Sequence, residues 1–78
     1  MIKKTTKLII TFHTTTDAMA MEAACKSLGA PGRLIPVPRS ISAGCGLAWC
    51  APPECESSLR SLIEESGLRH QEMQLCMI

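Results

Sequence analysis

Lys7-Leu-Ile-Ile-Thr-Phe-His13 runs directly into Thr14-Thr-Thr-Asp17, and this junction decides the fold. The first stretch is rich in Ile, Phe and Thr and predicts a buried strand. The second offers hydroxyl side chains that can cap a helix, followed by an acid suited to its first turn. Ala18, Met21, Cys25 and Leu28 then recur at helical spacing, and Gly29 supplies a stop. The chain therefore opens strand then helix, with the helix expected over 16–28 and Cys25 on its apolar stripe.

Reading onward, Ala30-Pro31-Gly32 is a turn and Arg33-Leu-Ile-Pro-Val37 a second strand. Pro36 cannot donate to a sheet ladder, which predicts an edge position. Pro38 to Gly44 is a loop. Gly46-Leu-Ala-Trp-Cys50 is a short third strand, ended by Ala51-Pro52-Pro53. Proline suits a helix start, and Cys55, Leu59, Leu62 and Ile63 form a second helical stripe closed by Gly67. Met73, Leu75 and Met77 alternate as a last strand. The order β-α-β-β-α-β predicts an α+β ferredoxin-like sandwich: a four-stranded antiparallel sheet with two helices on one face. Another small α+β arrangement with the same order is the alternative. The first and last strands are expected in the middle of the sheet. Residues such as Ile9, Thr11, Leu47 or Trp49 are expected on an apolar helix-free face, which offers a route to a homo-oligomer.

The 78 residues make one domain, spanning 1–78. With 8 basic and 7 acidic residues the net charge is +1, and the only aromatics are Phe12 and Trp49. Neither the charge nor the aromatics suit a nucleic-acid surface. Lys3, Lys4 and Lys7 cluster at one end as a solubilising group. Leu8-Ile9-Ile10 is too short for a signal core or a membrane span. Five cysteines, an odd number, with no secretory signal, predict a cytoplasmic protein with reduced thiols rather than a disulfide scaffold. A domain this small has no room for a deep catalytic cavity, so chemistry belongs on a loop or a partner surface.

The predicted topology brings the loop between strands two and three beside the end of strand one and the start of helix one. His13, the threonines 14–16, Arg39 and Cys45 would meet at that end. A thiolate is both nucleophile and sulfur acceptor, and a free thiol with pKa near ~8.5 is mostly protonated at neutral pH. Arg39 offers a cation, the helix start offers unpaired N–H groups, and His13 could accept the thiol proton. Gly44 and Gly46 leave the Cys45 sulfur uncrowded, and Ser42 adds a hydroxyl donor. The plainer alternatives are an inert thiol in a tight turn, a surface histidine and a solvated arginine.

Cys45, Cys50 and Cys55 are separated by four intervening residues each, C-x4-C-x4-C, which is not a common zinc or iron–sulfur spacing. Cys45 and Cys50 fall at opposite ends of strand three, roughly 15 Å apart, beyond the ~7 Å between Cα atoms that a disulfide requires. Cys50 and Cys55 are expected together at the lower end, and Cys76 in the last strand. No metal or other cofactor is called for.

The segments Phe12-His-Thr-Thr-Thr-Asp-Ala18, Gly32-Arg-Leu-Ile-Pro-Val-Pro-Arg39 and Ser40-Ile-Ser-Ala-Gly-Cys-Gly-Leu47 resemble the selenium/sulfur-carrier-like family, short bacterial proteins described as a domain of unknown function. Pro38, Arg39, Ile41, Ser42, Cys45, Gly46 and Leu47 carry its most specific pattern. The resemblance implies a carrier rather than an enzyme. Cys45 would take sulfur or selenium as a persulfide-type adduct from a donor protein and pass it to an acceptor. A small-ligand or partner-binding regulatory module is the competing reading. Cys50 and Cys55 have no role in the resemblance.

Overall fold

The computed structural model describes residues 5–38, 41 and 46–77. Its elements are β1 (Thr6–Thr11), α1 (Thr15–Leu28), β2 (Arg33–Pro36), β3 (Leu47–Ala51), a short 3-10 turn at Pro53–Cys55, α2 (Glu56–Ser66) and β4 (Glu72–Met77). The β-α-β-β-α-β order expected from the sequence is the observed one. Thr14 caps α1, its hydroxyl accepting from the Asp17 N–H at 3.1 Å. Gly29 ends α1 and Gly67 ends α2, both in the left-handed conformation that glycine adopts without a Cβ penalty.

All strand pairings are antiparallel, in the order β2-β3-β1-β4. The strand containing Pro36 is at an edge, as its missing N–H requires. The expected placement of the first and last strands in the middle is half corrected: β1 is central, but β3 is its central partner and β4 forms the other edge. Each right-handed crossover skips one strand position, so β1-α1-β2 leaves a gap that β3 fills. The residues agree. β3 reads Leu-Ala-Trp-Cys-Ala without a charge, while β4 carries Glu72 and Gln74.

Side chains alternate across each strand. Leu8, Ile10 and Phe12 of the first strand segment join Trp49 and Ala51 of β3 against the helices. Ala18, Met21 and Cys25 of α1 and Leu59, Leu62 and Ile63 of α2 complete this core. Each fully buried Leu or Ile stabilises by about 1.5–3 kcal/mol. Trp49 thus lies on the helix face, and Leu47 packs beside it, which corrects the expectation that both would line the helix-free face.

That other face is formed by Lys7, Ile9 and Thr11 of β1, Ala48 and Cys50 of β3, Arg33 and Ile35 of β2, and Glu72, Gln74 and Cys76 of β4, as the register dictates. Its centre is not open: Ile9, Thr11 and Ala48 are at most 1% exposed. Thr11 also ties β1 to β4. Its hydroxyl accepts from the Glu72 N–H at 3.1 Å, and its carbonyl accepts from the Gln71 N–H at 2.6 Å.

Candidate functional site

The sheet register places the upper end of the domain. Thr11, the last residue of β1, pairs with Ala48 near the start of β3 and with Glu72 at the start of β4. Pro36, the last of β2, pairs with Leu47. The end of β1, the capped start of α1, the β2–β3 loop and the α2–β4 link therefore share one end of the molecule. Of the residues expected to converge here, His13 and the threonines 14–16 lie at this end, and Arg39 and Cys45 fall outside the described residues.

The neck of the β2–β3 loop is closed by a hydrogen bond from the Val37 N–H to the Gly46 carbonyl at 2.9 Å. A second bond runs from the Ile41 N–H to the Pro38 carbonyl at 2.9 Å. Gly46 has a φ of +77°, in the region closed to most side chains, and a Cβ there would meet no atom of the described residues within 4 Å. Glycine serves backbone conformation at this position, with open space around it. Cys45, Arg39, Ser42 and Gly44 lie outside the described residues. His13 is exposed, one residue beyond Phe12 at the same end. Of the threonines, Thr14 has a structural role as the helix cap.

Sequence reasoning did not include the α2–β4 link in this end. Arg69, His70 and Gln71 arrive there because β4 runs antiparallel to β1. His70 and Gln71 are half-buried, and the side-chain oxygen of Gln71 is buried without a hydrogen-bond partner among the described residues. Their signal was the position of the link after a second crossover, visible only once the topology is drawn.

The remaining cysteines separate clearly. Cys25 is fully buried in the core, and burial pushes its thiol above the ordinary range because the thiolate would lose its hydration. Cys55 packs against the helix-side core, whereas Cys50 belongs to the opposite face. Both are free thiols in the structure. Cys76 pairs with Lys7 at the edge. Among the described residues no group of three or more His, Cys, Asp or Glu is placed to hold a metal ion, and no helix is long and apolar enough to cross a membrane.

No curated protein and no solved structure matches the chain. One family does match, described as "Putative Se/S carrier protein-like", over residues 7–74. That span begins at the opening residues of β1, ends within β4 and contains the whole β2–β3 loop with Cys45. The chain belongs to this Se/S carrier protein-like family.

Proposed function

We propose that the protein is a carrier of sulfur or selenium whose cargo sits on Cys45. The supporting observation is the family match spanning residues 7–74, which places Cys45 inside the matched region, on the loop whose neck is closed from Val37 to Gly46. A loop at the end of a small domain suits a carrier because cargo must be reached by both a donor and an acceptor. Loading is a sulfur transfer. The Cys45 thiolate attacks the outer sulfur of a donor persulfide, the donor S–S bond breaks, and the donor leaves as a thiolate. Cys45 ends as the persulfide, and delivery repeats the exchange with an acceptor nucleophile. Arg39 supports the thiolate electrostatically, and His13 accepts the thiol proton. Ser42 donates to the sulfur, and Gly44 and Gly46 keep it accessible. The partners are a sulfur- or selenium-donating protein and an acceptor protein.

Intact-mass measurement after incubation with a cysteine desulfurase and cysteine tests this reading. The expected result is a gain of one sulfur on Cys45 that is absent in Cys45→Ala. Loading that persists in Cys45→Ala, or no loading, overturns it. The regulatory-module alternative predicts instead ligand-dependent stabilisation that survives Cys45→Ala.

A further inference from the structure

At the opposite end from the Cys45 loop, Arg33 opens β2 and pairs directly across the sheet with Cys50. Lys7 follows on the adjacent strand β1, one diagonal step away, on the same helix-free face. Lys7, Arg33 and Cys50 line one cavity of about 280 Å³ together with Gly32, Ala51 and Pro52. Both charged groups in this lining are cations. Neither the Lys7 nor the Arg33 side chain has a hydrogen-bond or ion-pair partner among the described residues. Cys50 is half-buried within it, a free thiol with access from solvent.

A second cavity of about 370 Å³ adjoins the first, sharing Gly32 and Arg33 and adding Glu22, Lys26 and Trp49. Gly32 makes the junction possible, because a Cβ on it would collide with the Trp49 ring and approach the Cys50 carbonyl to 2.7 Å. Cys25 also lines this second cavity, but its thiol is fully buried and held protonated by desolvation. Of the two thiols lining these cavities, Cys50 is therefore the one that can react.

We propose that the Lys7–Arg33–Cys50 cavity receives small carboxylate-bearing disulfides, with which Cys50 undergoes thiol–disulfide exchange, independently of any cargo on Cys45. The cations attract the carboxylates and orient the disulfide toward the sulfur. In the exchange the Cys50 thiol gives its proton to solvent, and the thiolate attacks one sulfur of the ligand. The ligand S–S bond breaks as the Cys50–S–S–ligand bond forms. The attacked half is retained and the other half leaves as a thiolate. The Cys50 sulfur is oxidised to the mixed disulfide, and the departing sulfur takes the electron pair. The adjoining cavity gives the second half of the disulfide room beside Arg33.

The test compares two probes on the full chain in limiting amounts: a dianionic bis(carboxynitrophenyl) disulfide and a neutral dipyridyl disulfide. Labelled sites are assigned by fragmentation mass spectrometry, which is needed because Cys45, Cys50 and Cys55 share one tryptic peptide. Both probes meet the same thiolate population, so their rate ratio at one cysteine cancels its thiolate fraction and reports attraction for the anion. Each unscreened cation at ~6 Å favours a unit negative charge about threefold. The anionic-to-neutral ratio at Cys50 should thus exceed that at Cys55 by about three- to tenfold. It should collapse to the Cys55 value in the double variant K7Q/R33Q, and in the parent protein at about 1 M salt, where the screening length falls to ~3 Å. The salt measurement needs no variant to fold. A ratio at Cys50 equal to that at Cys55, or one that K7Q/R33Q and salt leave unchanged, overturns the proposal.

Discussion

The indole N–H of Trp49 donates to the Pro31 carbonyl at 3.2 Å, so the central strand β3 is fastened to the turn that leads into the edge strand β2. This bond lies at the lower end of the sheet. It holds the Pro31–Gly32 turn against the ring and so fixes where Arg33 starts its strand.

Trp49→Phe should destabilise the fold by about 1–2 kcal/mol, combining a lost hydrogen bond with a smaller ring. The Pro31 residue is exposed, so its carbonyl can turn to water and the cost stays at the low end for a buried aromatic. Urea denaturation should show a lower midpoint at an unchanged slope. A midpoint equal to the parent's would remove the structural role of the bond.

Gly32→Ala should cost more than Gly46→Ala. Both glycines have positive φ, +116° and +77°, but only Gly32 is crowded, with the Trp49 ring and Cys50 carbonyl in the way of a Cβ. Backbone strain alone is on the order of 1–3 kcal/mol, and overpacking adds a similar amount. We expect roughly 2–4 kcal/mol at Gly32 and about 1 kcal/mol at Gly46. Equal losses in chemical denaturation would refute the crowding.

Cys25 predicts a pH dependence with a definite sign. Its thiol titrates higher in the folded protein than in the unfolded chain, because burial disfavours the thiolate. The associated stability is fully present below the unfolded thiol pKa, near ~8.5, and is lost as pH rises through and above that value. Cys25→Ala should cost about 1 kcal/mol at pH 7 through lost packing. That difference should shrink as pH rises from about 8 to 10, since only the parent carries the thiol. Urea melts of both proteins across this range measure it, and a constant difference would contradict the argument.

If Arg39 supports the Cys45 thiolate, Arg39→Ala should raise that thiol's pKa and slow its alkylation at pH 7. An opposite charge at ~4–6 Å is worth 1–3 pKa units. His13→Ala should act in the same direction but less. Alkylation rate against pH, in a variant retaining only Cys45, reads this out. An Arg39→Ala curve that overlays the parent's would make the arginine a bystander.

Thr14→Ala separates cap from site. The hydroxyl satisfies the Asp17 N–H at 3.1 Å, so its removal should cost about 1 kcal/mol. Loading of Cys45 should be unchanged under conditions where the variant is folded. A loading defect with unaltered stability would move Thr14 from the helix cap to the carrier site.

The sequence determined the elements by itself, because local chemistry specifies them: the Thr14 cap, the Gly29 and Gly67 stops, the Pro36 edge, and the switch from strand pattern to helical stripe at Phe12–Ala18. It also singled out Cys45, through a local pattern in one loop. Tertiary structure alone decided that β3 rather than β4 shares the middle of the sheet with β1, since either arrangement satisfies the same strand patterns and only the crossovers choose between them. It likewise decided the partners of Cys50. A strand's alternation says that Cys50 and Trp49 face opposite ways, but not which of them meets the helices. Pairing in register settles this, because burying Trp49 against Leu8, Ile10 and α1 turns Cys50 to the other face, beside Arg33 and Lys7, residues 17 and 43 positions away in the chain.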